Sequence, residues 1–419
     1  MTQELYPPPL VIPRSQHPIS RENIDPHALK VLQRLSEAGF TSYLVGGGVR
    51  DLYLGKKPKD FDISTSARPG QLRHLFRNSR IIGKRFRLVQ VVFGDNKIVE
   101  VSTFRRRSEF DLNGKDAVLA SNNTFGTPVE DAFRRDLTIN ALFYEIEHGT
   151  VIDYIGGVKD LNDRIIRVVG DPDRRFKRDP VRMLRSIRHA ARTGFDIEEK
   201  TWQAITDHRE LLKLCPESRL RDEILKDLSG GASRAWAELA IKSGLFLIPF
   251  PFYEKTLAQD AQANSAVSLF LFNILAVIDR LSGAGAKLPE PVLLALVLLP
   301  WIDAELELLR HERRGQEAFV FSKKLRAHLD SSLTSFNIKR MTRDSIAGLL
   351  ANLPIFEKHG KDEIWPKWLT RKSYFKLGLQ YYQIINEARG GEQIVDPEII
   401  APHGPGRQTE AAEEAGTAE

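Results

Sequence analysis

The sequence predicts an α/β domain built on a mixed sheet, followed by an all-helical remainder. Three observations carry that expectation. Over residues 25–165 the apolar pattern switches between helical and strand periods, in the order helix, strand, helix, strands. From Arg164 onward strand-type alternation fades and apolar residues recur at helical spacing. At 419 residues the chain is also too long for one ordinary core, so two to four domains are expected. The reading divides it into an extended arm (1–24), an α/β head (25–165), a helical neck (166–245), a helical body and leg (246–395) and a disordered tail (396–419).

Composition bounds the function classes. Hydrophobic content of 42% and charged content of 28% are those of a globular protein. The net charge is +6, but residues 401–419 carry a net −3, which leaves +9 on residues 1–400. Such a balance suits a polyanionic partner held by salt-sensitive contacts. The single cysteine, Cys215, excludes an internal disulfide and a zinc site of several thiolates. No charged segment followed by an apolar run opens the chain, so secretion is not expected. The apolar runs 266–278 and 291–302 are shorter than the ~20 residues that span a bilayer and are read as core helices. A reducing cytoplasm and no membrane span are the expectation.

Taken in order, the proline-rich residues 1–24 read as an extended arm. A helix is predicted over 26–38, with Leu29, Leu32 and Leu35 on one face. It leads into LVGGGVRDLYLGKKPKDFD, residues 44–62. There a short strand breaks into Gly46, Gly47 and Gly48 before helical spacing resumes at Val49. Glycines let backbone N–H groups approach an anion closely, and a helix start favours negative charge. Arg50 can grip a phosphate by its planar fork. Asp60 and Asp62 stand two apart on an extended segment, point to the same side and offer hard oxygen ligands of the kind magnesium takes. Together these parts describe a site for a triphosphate and a divalent metal.

Next come a turn and a helix ending at Phe76, then strand-like runs at 80–83, 87–93 and 97–104. Glu100, in the last run, faces either solvent or the aspartate pair, where it would share or orient the metals. Residues 105–127 lose periodicity and read as a mobile loop, whose Arg105-Arg106-Arg107 either touches substrate phosphates or stays solvated. A helix packing on the sheet is predicted over 128–144, from Phe133, Leu137, Ile139 and Leu142. Arg134, Arg135 and Asp136 are consecutive and fan round it. They form a surface ion-pair cluster, or else Arg135 meets triphosphate or base, Asp136 braces an arginine and Asn140 bonds a ribose hydroxyl. In VIDYIGGVKDL, residues 151–161, Asp153 and Asp160 read as helix caps or as supports of the site.

Within 171–192, Phe176, Val181, Leu184, Ile187 and Ala191 keep helical spacing. Pro180 suits the first helical position, with Asp179 as N-cap. Asp179 and Arg182, three apart, either cap a structural helix or present an acceptor and donors to the Watson–Crick edge of a base. Over 196–395 basic clusters (323–326, 339–343, 367–372) interleave with Phe336, Trp365, Trp368, Tyr374 and Phe375. These are amphipathic helices or, by accumulation, a surface for single-stranded RNA.

Residues 44–62, 133–142 with their RRD, 153–161 with DYIGGVKDL, and 171–192 with DPVRMLR together resemble the ordered motifs of the class II nucleotidyltransferases. That polymerase-beta-type branch holds bacterial CCA-adding enzymes and bacterial poly(A) polymerases. The segments VIPRSQHPISR, IIGKRFRLVQV and FNIKRMTRDSIAGL favour the poly(A) side. The resemblance implies a catalytic head, a neck that reads ATP and helical parts that hold an RNA 3′ end. It implies metal binding by Asp60 and Asp62, and triphosphate contact by Gly46, Gly47 and Arg50. Base selection would fall to Asp179 and Arg182, supported by Arg135 and Asp136. Arg178 stands where the family usually has glutamate, which puts the bracing of Asp179 and Arg182 in question. The implied chemistry is template-independent transfer of AMP from ATP to an RNA 3′ end, served by two Mg2+ ions, with release of pyrophosphate. A tRNA CCA-adding enzyme, an inactive RNA-binding protein and a metal-dependent nucleotide-binding regulator are the alternatives.

Overall fold

The computed structural model describes residues 6–83, 87–94, 97–106, 124–258, 266–309, 313, 315–334, 336–360 and 365–394. Residues 107–123 of the expected loop, 84–86 of the IIGKRFRLVQV segment and the expected tail lie outside the described residues. The chain forms two compact units, Met1–Glu223 with Ala235–Pro249, and Ile224–Arg234 with Phe250–Glu419.

The first unit holds an eight-stranded sheet: β1 (Leu10–Ile12), β2 (Ser42–Val45), β3 (Asp62–Thr65), β4 (Ser79–Ile82), β5 (Leu88–Val92), β6 (Ile98–Thr103), β7 (Leu142–Glu145) and β8 (Thr150–Asp153). Their spatial order is β1-β8-β7-β2-β3-β6-β5-β4. Every pairing is antiparallel except β3 with β6. A parallel pair needs a long crossover, supplied here by α3 (Pro69–Leu75) and the hairpin β4–β5. The apolar residues Val45, Phe104, Ala132 and Phe143 form a buried cluster behind β2 and β7, with Tyr43, Ile152 and Tyr154 packed on it.

Helix α1 (Pro26–Glu37) starts as its sequence dictates. Asp25 accepts the His27 N–H at 2.8 Å and Pro26 opens the first turn. Its buried stripe is Ala28, Val31, Leu32 and Leu35, so Leu29 lies at the edge of the stripe rather than in it. Gly46, at φ +74°, caps α2 (Gly47–Tyr53), a conformation that a side chain would strain.

Two expectations are corrected. The arm is not wholly apart from the fold, because Leu10–Ile12 pair antiparallel with β8, Val11 opposite Ile152. The helix read over 128–144 also breaks. Thr127 and Glu130 form a capping box for α4 (Pro128–Arg134), but Arg135 turns extended at ψ 167°. A 3-10 turn (Thr138–Asn140) follows and Leu142–Glu145 becomes β7. Leu142, Phe143 and Tyr144 are all buried between neighbouring strands. A short apolar run covered on both faces satisfies helical spacing as well as a strand does, and only pairing partners decide.

The unit continues through α5 (Gly157–Asn162), α6 (Pro172–Arg178), α7 (Val181–Thr193) and α8 (Glu199–His208), with a two-residue parallel pair between Ile165–Ile166 and Asp196–Ile197. Helices α9 (Glu217–Leu228) and α10 (Ser233–Ser243) each contribute residues to both units.

The second unit is helical: α11 (Glu254–Ala258), α12 (Ala266–Gly283), α13 (Glu290–Leu306), α14 (Gly315–Ser332), α15 (Arg340–Gly360), α16 (Lys367–Thr370) and α17 (Phe375–Ala388). Val292 through Ile302 of α13 are all buried, the pattern of a helix surrounded by others, and α12, α15 and α17 pack on it. The apolar run at 266 is longer than expected. Helix α12 reaches 18 residues and, by length and composition alone, could cross a membrane. It behaves as a core helix: Leu271, Ile274, Leu275 and Ile278 are buried, Asp279 accepts the N–H groups of Ser233 and Arg234, and Arg280 pairs with Glu387 at 2.5 Å.

Candidate active site

The site begins with strand register. β3 and β6 run parallel with Asp62 paired to Glu100, while β5 places Gln90 opposite Glu100. Directly paired residues share a face, so Asp62 and Glu100 project to the same side of the sheet. Two residues on, Ser64 pairs with Ser102 and their hydroxyls are 3.1 Å apart on that face. Of the two sequence readings of Glu100, the one toward the aspartates is the one register produces. Gln90 Nε2 donates to its carboxylate at 2.9 Å.

Asp60 lies just ahead of β3, and its charge acts on Asp62. Burial pushes the Asp62 carboxyl up to about 6, with the charges of Glu100 and Asp60 adding to the rise and Arg135 opposing it. The Asp62 side chain nevertheless keeps an open face to solvent. A carboxyl held up in this way by burial and by two neighbouring carboxylates belongs to a set whose repulsion a divalent cation relieves, and hard oxygen donors fit magnesium. Asp60 also lines a recess of about 750 Å³ together with Lys56, Lys57, Lys59 and Lys97. A cavity of about 840 Å³ elsewhere in the unit, beside Arg167, Asp171 and Glu198, contains none of these carboxylates.

The glycines bring the first helix onto the site. A Cβ on Gly46 would stand 3.4 Å from Arg135 Nη1 and 3.8 Å from Asp62 Oδ2, which places all three residues together. A Cβ on Gly48 would stand 3.1 Å from the Asp60 carbonyl, so that glycine serves the close approach of α2 to the aspartate segment. Gly47 lies against Arg50.

Arg50 does not present the open fork the sequence suggested. Its Nε and Nη2 donate to Asp51 Oδ1 at 2.9 and 2.8 Å, and Nη1 donates to Asn140 Oδ1 at 2.7 Å. The imidazole of His189 lies 3.2 Å from the same Nη1. Asn140 sits in the 3-10 turn rather than on a helix, with its amide tied to Arg50 and 3.3 Å from His189 Nε2.

The RRD triplet resolves into three different environments. Asp131, buried, binds Arg134 at 2.8 Å and Arg135 at 3.0 Å, so the cluster is internal rather than on the surface. Arg135 reaches the site face, donating to Ser64 Oγ at 3.3 Å and to the Asn140 carbonyl at 3.2 Å. Asp136 does brace an arginine, Arg185, at 3.5 Å. Burial would raise the Asp136 carboxyl, but Arg185, His189 and Arg182 hold it well below the usual carboxylate range.

Asp179 and Arg182 come together, 3.6 Å apart, but Asp179 is not the cap of α7. Its carboxylate is held by Arg219 at 2.9 and 3.0 Å. That pairing braces Asp179 from α9, whatever charge stands at Arg178. Arg182 donates Nη1 to the Arg135 carbonyl at 3.1 Å and Nη2 to the Arg134 carbonyl at 3.4 Å, and Arg175 binds the same two carbonyls. These are the orphan acceptors at the end of α4, which cationic side chains satisfy well. Asp153 acts as expected of a cap: its carboxylate accepts the N–H groups of Ile155, Gly156, Gly157 and Val158 at 2.9–3.0 Å. Asp160 instead takes the Thr138 hydroxyl at 2.6 Å and Arg167 at 3.0 Å.

Sequence reasoning missed Gln90, Asp131, Arg185, His189 and Arg219. Asp131 meets Arg134 and Arg135 within its own helix turn, a spacing the sequence does show, and Arg185 stands within DPVRMLR; Gln90, His189 and Arg219 reach their partners from other elements.

Residues 42–167 match the family described as the poly A polymerase head domain, and residues 194–257 one described as the probable RNA and SrmB-binding site of polymerase A. Poly(A) polymerase I of Escherichia coli is 49% identical over 248 residues, 58% of this chain and 53% of its own length. The CCA-adding enzyme of Bacillus velezensis is 35% identical over 309 residues, 70% of this chain and 76% of its own length. Among solved structures, that of the Bacillus stearothermophilus CCA-adding enzyme in complex with CTP gives a TM-score of 0.63 at 25% identity, covering 90% of this chain and 80% of that one. This chain spans about half the length of the poly(A) polymerases it matches. A sheet that pairs Asp62 with Glu100 beside a glycine turn, and a relative matched over three quarters of its length, lead to one conclusion: the chain belongs to the class II nucleotidyltransferase family.

Proposed function

We propose that this chain is a template-independent polynucleotide adenylyltransferase, which adds AMP from ATP to RNA 3′ ends and releases pyrophosphate. The observation that carries the reading is the β3–β6 register, which sets Asp62 and Glu100 side by side with Asp60 adjoining and Gly46 and Arg135 against them. The 3′-hydroxyl oxygen attacks the α-phosphorus, the bond to the pyrophosphate oxygen breaks, and the hydroxyl proton leaves to solvent. Two magnesium ions held by Asp60 and Asp62, with Glu100 alongside, would supply Lewis acidity and neutralise the triphosphate.

The chain's own residues then have distinct tasks. Gly46 and Gly47 let the backbone close on the phosphates, and Arg135, already on that face, offers them charge-assisted hydrogen bonds. Arg50 and Asn140, bound to each other, form a rigid wall for the sugar and phosphates. Asp179 and Arg182 read the base, one accepting and the other donating, with Arg219 and Asp136–Arg185 holding them in place. The lone cysteine suits a reducing cytoplasm.

Identities of 43–50% to poly(A) polymerase I sequences, against 35–44% to CCA-adding enzymes, favour the adenylate-only reaction. A CCA-adding activity is the second reading, favoured by the 76% coverage of the Bacillus velezensis enzyme. Extension of an unstructured RNA and of a tRNA lacking CCA, each with ATP or CTP alone, separates the two. Adenylate chains on both RNAs with no CTP use support the proposal; CTP use confined to the tRNA supports the second reading.

A further inference from the structure

Beside Arg50 and Asn140 lies a group the family motifs did not single out. His189, on α7, places Nδ1 3.2 Å from Arg50 Nη1 and Nε2 3.3 Å from Asn140 Nδ2. The third side of this triangle is settled, because Arg50 Nη1 donates to Asn140 Oδ1 at 2.7 Å. That bond fixes the amide: Oδ1 faces Arg50, so Nδ2, a donor, faces the imidazole.

Arg50 and Asn140 therefore both point donors at one ring. A neutral imidazole has a single lone pair to offer, since its other nitrogen carries the proton. If Nδ1 accepts from Arg50, Nε2–H opposes the amide; if Nε2 accepts from Asn140, Nδ1–H opposes the guanidinium. Protonation would leave no acceptor at all. Consistent with this, burial and the Arg50 charge push the imidazole down to about 3; Arg188 and Arg192 add to the drop and Asp136 opposes it. Two donors thus share one acceptor, and one N–H is left over.

We propose that His189 is a positioning residue for the nucleotide. Its lone pair holds the Arg50–Asn140 pair in place, and its shortage of acceptors leaves one N–H, guanidinium or amide, for an oxygen of the incoming nucleoside triphosphate. The proposal rests on the reading of Arg50 and Asn140 as part of the nucleotide site. Binding of that oxygen completes the triangle, so the ring couples helix α7 to the glycine turn when the site fills.

The test compares the full-length protein with His189→Phe, which keeps an aromatic ring without nitrogens, and His189→Gln, which restores a carbonyl acceptor. With RNA extension as the assay, KM for ATP is expected to rise about tenfold in the Phe variant at a kcat changed by less than about twofold. The Gln variant should recover to within about threefold of the parent. An unchanged KM in the Phe variant overturns the proposal, and so does an equal rise in both variants, which would assign the effect to ring packing. Ring 15N spectra of the unsubstituted protein give a readout that needs no substrate and no variant. One bonded, unprotonated ring nitrogen persisting to about pH 5 supports it, and a ring titrating freely near the ordinary histidine value of about 6.5 overturns it. Absence of adenylate transfer by the unsubstituted protein would instead sink the reading of the function, leaving the ring measurement to decide the role of His189.

Discussion

The carboxylate face of the first unit and the basic, aromatic stretches of the second posed the same question to the sequence and received opposite answers. On the sheet, a charged residue in a strand turned toward the site: Glu100 pairs with Asp62. In the helices, most of the aromatic residues that looked like platforms turned inward. Phe336 is 3% exposed and packs on Phe250, while Trp365 and Phe375 join Phe356 in one cluster. Tyr374 is half-buried, and only Trp368 of the five stands in solvent, 52% exposed among Lys367, Arg371 and Lys372. The basic residues around them, such as Lys323, Lys324 and Arg326, face water as ordinary amphipathic helices would have them. The lesson is one of period. Strand register ties a side chain's direction to its paired neighbour's, whereas a helix surface lets aromatic and basic residues separate onto different faces.

That contrast is testable, most sharply at the carboxylates. Asp62→Asn or Asp60→Asn should lower adenylate transfer at least about 10³-fold, some 4 kcal/mol of barrier, with thermal unfolding preserved. Near-normal turnover in either variant would break the site. Next in size is the aromatic pair: Trp365→Ala, which removes a partly buried ring packed on Phe356 and Phe375, should cost about 2–3 kcal/mol of stability, read by denaturant unfolding. Trp368→Ala should leave stability intact and raise KM for a single-stranded RNA by about fivefold to a hundredfold, the value of one stacked base. The reverse pattern would show that the wrong tryptophan was placed on the surface. Replacement of Arg182 by Ala should shrink the preference for ATP over CTP, measured as a ratio of kcat/KM, by about 10- to 100-fold. Preserved selectivity would remove Arg182 from base reading.

The smallest effect is the titration of Asp62. Its folded value of about 6 lies above that of an ordinary carboxylate, so the folded protein retains a proton that the unfolded chain has lost. The resulting stabilisation is complete below the unfolded value near 4 and is lost as pH rises through about 6. Without divalent cations, melting temperature should therefore decline across that window more steeply in the parent than in Asp62→Asn. Transfer should rise across the same window as the carboxylate forms, and saturating magnesium should move the rise to lower pH.

The residue sequence by itself determined the motifs whose chemistry is local. Asp60 and Asp62, two apart beside the glycine turn, could be named because both their spacing and their chemistry are contained in one short segment. The N–H groups gathered by Asp153 are of the same kind. What only the tertiary structure decided was which donors are spent and which are spare. Arg50 looked like a free fork until Asp51, Asn140 and His189 were found around it, and Asp179 looked like a cap until Arg219 arrived from forty residues away. The break of the 128–144 helix into strand β7 was equally hidden, since β2 and β8 supply the pairing that outweighs helical spacing. The physical reason is common to all three. A hydrogen-bonding group's role depends on every partner within reach, and in a folded chain most of those partners come from elsewhere in the sequence.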